Sequence, residues 1–525
     1  MVTTDFPPGP TVEIADGQLR GITNGKLNAW RGIPFAAPPV GALRWRAPQP
    51  LTQWEGVREA DDFHNAPPQF PRAAATAIGK YQPIAEDCLT LNVLAPAAPA
   101  AKPRPVMVFI YGGGYLVGTS ATPLYLGNSL AERGDIVYVS INYRIGPLGY
   151  LDLTRYSSPE RPYDNNLGLR DQVAALQWVQ RNIAAFGGDP KCVTIFGESA
   201  GGNAVTTLLA TPAAHGLFHR AIAQSSVPGL TIDQSAANLV TERIIELLGT
   251  SGLTGTALTD RLDAATPSEL GKATLTLLRE TTRQKSGMPM LPFGPVIDGD
   301  YLPDDPAATI AAGQGAQVPL IIGTNRTEAT LFTRIPGNSA KPEGINNMLL
   351  AGSPKAAKAV VESYPGFPSR RVCTRIIGDA VFWAPTVQIA EAHSKHAPTY
   401  FYRFDYAPKT LRASGFGATH AMELLAVFGV YRGGLGRTLS FLGDRDSALN
   451  VTDEMQRDWI YFARTGSPAS HWPKYSTSAR TTRVIDSHSY LVHDPAAQQR
   501  RAWANFFADE PDELSPEWPS VPIAR

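Results

Sequence analysis

Residues 193–201 read VTIFGESAG and place a serine between a short apolar run and a segment of helical character. A short run of apolar and β-branched residues that ends in glycine is typical of a strand buried on both faces. Gly197, Ser199 and Gly201 match the pattern G-x-S-x-G, in which a tight strand-to-helix turn presents the serine hydroxyl at the top of a sheet. A glycine-rich turn in which Ser199 only caps a helix is the alternative. The strand before the turn and the helix after it favour a nucleophile.

Further apolar runs flank this turn along the chain. Residues 106–111 (VMVFIY), 136–142 (IVYVSIN) and 318–323 (VPLIIG) each predict a buried strand. Between residues 166 and 186, apolar side chains recur at helical spacing until two glycines end the pattern. Because strands alternate with helices, we expect an α/β protein with a mostly parallel sheet flanked by helices. The first ninety residues carry short strand-like runs without helical spacing, which predicts an antiparallel N-terminal lead-in.

The 525 residues contain no internal repeat and no clear linker, so we expect a single domain, residues 1–525, rather than two or three. The stretch 235–283 has helical character and is interpreted as an insertion above the sheet, and a terminal helix is predicted near residues 454–464. Lys plus Arg and Asp plus Glu both number 47, so the sequence lacks the basic patch of a nucleic-acid-binding protein and favours a small-molecule partner.

Location and redox state can be predicted from the same sequence. No apolar run approaches the roughly 18 residues that span a bilayer, and no secretory leader is visible, so we expect a cytoplasmic protein. Cys88, Cys192 and Cys373 are widely spaced and odd in number, which fits neither a disulfide framework nor a zinc site. We expect free thiols that are mostly buried.

A serine nucleophile requires a histidine base and a carboxylate that orients the histidine. In folds with this serine turn, the chain order is serine, acid, histidine. His420 lies in SGFGATHAME, a glycine-rich loop that enters a helix, and is our choice. For His393 and His396, in the polar stretch EAHSKH, a solvated helix end is the expected role. The remaining histidines with room for a preceding acid are His471, His488 and His493.

Glu328 is the favoured acid because it follows the predicted strand 318–323, and loops at the carboxyl ends of parallel strands converge on a ligand. Asp298 and Asp405 are the competitors. Asp298 precedes a glycine, so a turn-capping role is the simpler interpretation for it.

The sequence Tyr111-Gly112-Gly113-Gly114 follows a predicted strand and offers backbone N–H groups to a reacting oxygen. Gly113, Gly114 and Ala200 are predicted to form an oxyanion hole in which each donor lowers the barrier by about 3 kcal/mol. A phosphate-binding loop is the alternative, but the segment lacks the Lys-Ser/Thr of a P-loop.

These segments resemble the type B carboxylesterase family, which includes cholinesterases, mammalian carboxylesterases and bacterial para-nitrobenzyl esterases. The resemblance implies an α/β-hydrolase fold with helical insertions, hydrolysis of small carboxylic esters through an acyl-enzyme, and no cofactor or metal. It also implies that Ser199, Glu328 and His420 form the triad. The motifs that carry it are RGIPFAAPPVGALRW (31–45), EDCLTLNV (86–93), VFIYGGGY, NYRIGPLGYL (142–151), the helix 166–186 with GGDP, FGESAGG, GTNRTEAT and HAMELLAVFG.

Two departures from the family pattern bear on the expected cellular compartment and on the expected substrate class. Secreted members pair the cysteine of EDCL with one in a C-P-Q segment, but residues 66–69 read APPQ, so Cys88 has no partner. This favours a bacterial protein of a reducing compartment. The loop 71–84 has Tyr81 as its only aromatic residue and no tryptophan, so a cholinesterase role is disfavoured.

The family's acyl-pocket segment corresponds to residues 288–293 (MPMLPF), which predicts Leu291 and Phe293 as substrate-binding residues. A modest to medium acyl group is expected. Arg44 with Glu86 resembles a structural ion pair of the family.

Three other functions remain as alternatives. A non-catalytic scaffold member of the fold is disfavoured because all three triad positions are present. A metal hydrolase could use His215 and His219, but the sequence HGLFH lacks the H-E-x-x-H motif. Thioester, carbamate or amide cleavage requires the same machinery as ester cleavage.

Overall fold

The structure is a computed structural model that describes residues 6–70, 75–77, 80–282, 291–334, 340–349, 353–469 and 471–508. The strands among these residues are β1 (Pro8–Ile14), β2 (Gly17–Thr23), β3 (Leu27–Pro34), β4 (Val57–Glu59), β5 (Ala75–Ala77), β6 (Lys80–Tyr81), β7 (Thr90–Pro96), β8 (Arg104–Ile110), β9 (Val137–Ile141), β10 (Gly188–Glu198), β11 (Arg220–Gln224), β12 (Ile232–Asp233), β13 (Val296–Ile297), β14 (Leu320–Asn325), β15 (Thr399–Phe404), β16 (Thr481–Ile485) and β17 (Tyr490–His493).

Helices form many of the connections between the strands. A π-helical turn at Asp379–Trp383 lies between two of these helices. They are α1 (Asn128–Gly134), α2 (Gly146–Tyr150), α3 (Leu167–Asn182), α4 (Ala200–Ala210), α5 (Gln234–Leu247), α6 (Gly255–Asp263), α7 (Pro267–Thr282), α8 (Pro306–Ala311), α9 (Thr330–Thr333), α10 (Pro342–Leu349), α11 (Pro354–Glu362), α12 (Arg370–Gly378), α13 (Ala384–His393), α14 (Lys409–Ala413), α15 (Met422–Val427), α16 (Gly434–Leu439), α17 (Arg445–Thr465) and α18 (Ala497–Ala508).

Most strands of the described chain belong to one sheet with the order β1-β2-β3-β7-β9-β8-β10-β11-β14-β15-β16-β17. The seven strands from β9 to β16 in this order are parallel to one another. β1, β2, β3 and β7 pair antiparallel, and β7 joins β9 antiparallel. The predicted mostly parallel sheet and its antiparallel N-terminal lead-in are therefore confirmed.

The central strands are buried along their whole length, which explains their continuous apolar sequences. Every residue of β8 and of β9 is buried, so neither strand alternates apolar with polar side chains. α3 buries its apolar stripe, including Leu169, Val173 and Leu176, as its 3.6-residue spacing predicts. The strand predicted at 193–196 is part of the longer β10, and the helix near 454–464 begins earlier, at Arg445. The early turns of this helix bury Ala448 and Val451, a packing contact that its polar sequence did not indicate.

Buried ion pairs connect distant segments around the sheet. Arg144, after β9, makes a bidentate pair with Asp171 of α3, at 2.8 and 2.7 Å. Arg44 donates to Glu86 at 2.7 Å and to the carbonyl oxygens of Asp263 and Ala265, so it joins the lead-in to the helices α6 and α7. The predicted structural role of the Arg44 and Glu86 pair agrees with this geometry.

The three cysteines are free, with Cys88 and Cys373 buried and Cys192 partly exposed. In the part of the chain that the structure describes, no helix is both long and apolar enough to cross a membrane.

The strand register places four loop starts at the same edge of the sheet. Ile110 at the end of β8 is opposite Gly197 of β10, Glu198 is opposite Gln224 of β11, and Gln224 is opposite Gly323 of β14. The carboxyl ends of parallel strands lie side by side, so the residues that follow them meet there. These residues are the glycine loop 111–114, Ser199, Ser225 and the loop that carries Glu328.

Candidate active site

Ser199 lies on a strained turn between β10 and α4. Its backbone dihedrals are φ 61° and ψ −123°, a conformation that non-glycine residues rarely adopt. The Ser199 N–H donates to the Gln224 carbonyl oxygen at 3.0 Å, and its own carbonyl oxygen accepts the Asn203 N–H at 2.9 Å. A Cβ atom at Gly201 would lie 2.0 Å from the Ile110 oxygen, so this position requires glycine. The turn therefore has the geometry that the sequence pattern predicts.

Glu328 holds His420 through a short hydrogen bond. The distance from His420 Nδ1 to Glu328 Oε2 is 2.7 Å, and both side chains are buried. The other carboxylate oxygen of Glu328 accepts the Ser225 hydroxyl at 2.7 Å and the Asn325 N–H at 2.6 Å. Because Glu328 accepts three hydrogen bonds, its carboxylate is fixed in place as a partner for the imidazole.

The opposite nitrogen of His420 faces a second carboxylate. Its Nε2 atom lies 3.0 Å from Oε1 of Glu198, yet neither atom has an aligned hydrogen-bond partner among the described residues. The Ser199 hydroxyl is therefore not hydrogen-bonded to His420 in this structure, although Ser199 directly follows Glu198. Burial alone would lower the pKa of His420, but the charges of Glu198 and Glu328 raise it well above its ordinary value.

A third buried carboxylate, Glu423, lies behind this pair. Gln224 Nε2 donates to its Oε1 at 3.1 Å, and the Asn325 side-chain amide donates to its Oε2. Burial, together with the charges of Glu198 and Glu328, raises the pKa of Glu423 to about 8. Low dielectric and like charges both favour the protonated form of Glu423 within this cluster of three glutamates.

Two aromatic rings pack against His420. The ring centre of Phe382 lies 4.6 Å from that of the imidazole, and Phe332 lies 5.1 Å from it. Phe382 belongs to the π-helical turn and is buried, whereas Phe332 is 37% exposed. The imidazole is thus held on one side by a buried ring, and Phe332 provides an apolar surface that a substrate can reach.

The glycine loop after β8 adopts backbone conformations that favour glycine. Gly113 has a φ of 118° and Gly114 a φ of 63°, so both occupy the region that favours glycine. Ala200 is buried at the first position of α4, directly after Ser199. A helix N-terminus leaves backbone N–H groups without partners in the helix, which suits an anionic oxygen.

The two predicted substrate-binding residues differ in their position. Leu291 is partly buried, and its Cδ1 atom would lie 3.5 Å from a Cβ atom built on Gly114, so Leu291 borders the glycine loop. Phe293 is completely buried in the main core. Residues 288–290 of the predicted acyl-pocket segment lie outside the described residues.

The competing acids have other partners. Asp298 accepts the N–H groups of Asp300 and Leu302, the turn-capping role that we predicted. Asp405 is bound by two guanidinium nitrogens of Arg403, each at 2.7 Å. Of the three acids proposed from the sequence, Glu328 is the one that contacts His420.

One expectation for the competing histidines was wrong. His393 is buried rather than solvated, because it follows the apolar face of α13 and its Nδ1 lies 2.8 Å from the Thr399 hydroxyl. His396 is exposed, as predicted.

The structure also shows which groups of the described residues could hold a metal ion. His219 Nδ1 accepts a hydrogen bond from the Val193 N–H, so this nitrogen of the imidazole already binds the backbone. Among the described residues, the group whose ligand atoms all lie within 4.8 Å of one another is Glu454, Asp458 and His471. Arg483 and Ser489 bind Glu454, which makes this group part of an ion-pair cluster apart from Ser199.

Sequence reasoning missed Glu198, Ser225, Glu423, Phe332 and Phe382. Ser225 follows β11 at the same edge as Ser199, so the rule for strand ends could have found it. Glu198 lies within the G-x-S-x-G motif itself. Phe382 had no usable signal, because only the packing of the π-helical turn brings it to His420.

Comparison with known proteins agrees with this geometry. A model of the carboxylesterase family matches residues 8–503. The chain is 37% identical to para-nitrobenzyl esterase of Bacillus subtilis over 92% of its own length and 96% of the relative. It is 33% identical to phenmedipham hydrolase of Pseudarthrobacter oxydans over 96% and 98%, respectively.

Solved structures show the same similarity. A para-nitrobenzyl esterase structure superimposes with a TM-score of 0.84 at 36% identity, covering 94% of this chain and 99% of the other. A carboxylesterase of Geobacillus stearothermophilus gives a TM-score of 0.81 at 35% identity with the same coverage. The fold is the α/β-hydrolase fold. The chain belongs to the carboxylesterase family and is a carboxylic ester hydrolase.

Proposed function

We propose that Ser199, His420 and Glu328 are the catalytic triad of this esterase and that Gly113, Gly114 and Ala200 form its oxyanion hole. The observation that carries the proposal is the Glu328–His420 hydrogen bond at the sheet edge where Ser199 occupies its strained turn. A carboxylate on Nδ1 fixes the tautomer that leaves Nε2 as the base.

In the reaction, Ser199 Oγ attacks the ester carbonyl carbon while His420 Nε2 takes the hydroxyl proton. The N–H groups of the hole stabilise the oxyanion, and the alcohol leaves with the proton from His420. Water then attacks the acyl-enzyme, gives a proton to His420, and releases the carboxylic acid as Ser199 regains its proton. Alignment of Nε2 with Ser199 Oγ has to occur in the substrate complex, since Nε2 faces Glu198 in the free enzyme.

The proposed substrate is a small ester with a modest to medium acyl group. Leu291 borders Gly114 and Phe332 lies beside His420, so apolar side chains flank both ends of the proposed reaction centre. We also propose a reducing compartment, consistent with the cytoplasm, because the three cysteines are free thiols.

The test compares p-nitrophenyl butyrate hydrolysis by wild type, Ser199→Ala and Ser478→Ala. Ser478 is exposed and distant from Ser199 in the sequence, so its variant controls for the loss of a serine hydroxyl. We expect a loss of several orders of magnitude in kcat for Ser199→Ala alone. A serine-reactive phosphonate should add its mass to wild type and to Ser478→Ala, but not to Ser199→Ala. Equal turnover or equal labelling of all three proteins would refute the assignment of Ser199.

A related acyl bond is the second candidate substrate, because one relative is named phenmedipham hydrolase. The same nucleophile and base serve other acyl groups. Assay of phenmedipham with wild type and Ser199→Ala decides this point. Turnover that depends on Ser199 would extend the substrate range to phenmedipham, and no turnover would exclude phenmedipham from it.

A further inference from the structure

A cavity of about 590 Å³ lies over the antiparallel part of the sheet, apart from the proposed active site. It is bordered by residues of β2, β3, β7 and β9 and by the segment between β8 and α1. Its lining includes none of the proposed triad, the glycine loop 111–114, Leu291 or Phe293. Cavities of roughly 300–1,000 Å³ are the size that small-molecule sites use.

Most of the cavity wall is apolar. Ile22, Leu27, Ala29 and Leu94 lie on neighbouring strands, and Pro123 and Leu126 face them from the segment before α1. A wall of this kind accepts an alkyl chain or an aromatic ring. The polar groups within it therefore decide which class of ligand is recognised.

Arg31 is the single cationic side chain of the lining. Its guanidinium lies 4.7 Å above the centre of the Phe63 ring and donates a 3.4 Å hydrogen bond to the Asp61 carbonyl oxygen. Among the described residues no carboxylate forms an ion pair with it. Arg44, Arg104 and Arg144, by contrast, each bind a carboxylate.

The charge of Arg31 is incompletely balanced by its neighbours. Asp62 also lines the cavity, but it is exposed, and its Oδ1 accepts the Phe63 N–H at 2.8 Å. Burial lowers the pKa of Arg31, and the charges of Asp62 and Asp61 only partly offset that effect. A guanidinium has five N–H donors arranged to bind a carboxylate with two parallel hydrogen bonds. Arg31 therefore has donors available for an anionic ligand.

We propose that this cavity is a second binding site that takes a monocarboxylic acid with an apolar chain. Its carboxylate binds Arg31, and its chain lies against Ile22, Leu27 and Leu94. Carboxylic acids are the products of ester hydrolysis, so such a ligand is present wherever this enzyme works.

The test is calorimetric titration of octanoate into full-length enzyme whose catalytic serine has been sulfonylated with phenylmethylsulfonyl fluoride. The treatment blocks the catalytic pocket, whichever serine reacts there. We expect one saturable site per chain. Arg31→Leu should weaken it about tenfold or more, as loss of a charge-assisted hydrogen bond predicts. Arg58→Leu is the matched control, because Arg58 stacks on Trp54 outside the cavity lining.

A second variant separates the apolar wall from the charge. Ala29→Phe places a ring in the cavity from a strand position and should abolish octanoate binding while Arg31 remains. Circular dichroism melting checks that both variants fold. Saturable binding that is equally strong in Arg31→Leu, or no saturable binding in wild type, would overturn the proposal. Binding of 1-octanol as tight as that of octanoate would also overturn it, because the carboxylate would then be irrelevant.

Discussion

The Nε2 atom of His420 lies 3.0 Å from Oε1 of Glu198, the residue directly before the proposed nucleophile. A general base must be neutral to accept a proton, whereas a neighbouring carboxylate favours the imidazolium. The resting site therefore holds its base next to a group that opposes its neutral form. This relationship makes the pH dependence of the enzyme the most direct test of the site.

Neutralising Glu198 should extend activity to lower pH. The charge of Glu198 raises the pKa of His420, so Glu198→Gln lowers that pKa, and more of the imidazole is neutral at a given acidic pH. The acid limb of the kcat/KM profile should shift to lower pH. Glu132→Gln, on the exposed surface of α1, is the control and should leave the limb in place. An unchanged limb in Glu198→Gln would show that this carboxylate does not influence the base.

Glu423 should make the protein less stable as the pH rises. Its pKa is raised to about 8 in the folded state, so between the ordinary value and pH 8 the folded protein binds more protons than the unfolded chain. This stabilising contribution is complete at low pH and is lost as the pH rises through about 8. Glu423→Gln resembles the protonated form and should raise Tm relative to wild type at pH 9 more than at pH 6. Parallel Tm profiles for the two proteins would contradict the raised pKa.

Phe382 should act on catalysis through the position of His420. Its ring lies 4.6 Å from the imidazole, so Phe382→Leu removes a flat contact that restricts rotation of the base. We expect kcat to fall about tenfold or more, since small misplacements of reacting groups have large effects, while KM changes little. Phe441→Leu serves as the control because Phe441 is 70% exposed. A change confined to KM would assign Phe382 to substrate binding instead.

Gly201→Ala should disrupt the serine turn. The added Cβ would lie 2.0 Å from the Ile110 oxygen, so α4 and β8 have to separate. We expect loss of hydrolysis together with a lower Tm. Gly344→Ala provides the contrast, because a Cβ there meets nothing within 4 Å and the residue lies inside α10. That variant should be as active as wild type and stabilised by about 0.5–1 kcal/mol, the helix preference of Ala over Gly.

The Arg144–Asp171 pair should be important for stability rather than for chemistry. Both side chains are almost completely inaccessible, so Asp171→Asn leaves a buried guanidinium with reduced compensation. The free energy of unfolding should fall by about 3 kcal/mol or more, as measured by urea denaturation. Glu59→Gln, in an exposed ion pair with Arg20, should have little effect. Equal losses in both variants would mean that burial does not determine the contribution of an ion pair here.

The sequence by itself determined the strands and the serine turn, because both depend on local chemistry. Continuous apolar runs that end in glycine, such as β8, are typical of strands buried on both faces, and the glycines of residues 197–201 favour a tight strand-to-helix turn around Ser199. The bounds of α17 and the burial of His393 were predicted less well, since contacts with distant residues decide them.

The tertiary structure alone decided which groups surround His420. Glu198, Glu423 and Phe382 come from β10, α15 and the π-helical turn, and no local pattern specifies that their side chains meet. The strand register brings the carboxyl ends of the strands together. The π-helical turn orients Phe382 toward the imidazole. Their effect on the pKa of His420 depends on distance and burial, and these exist only once the sheet and its covering helices have packed.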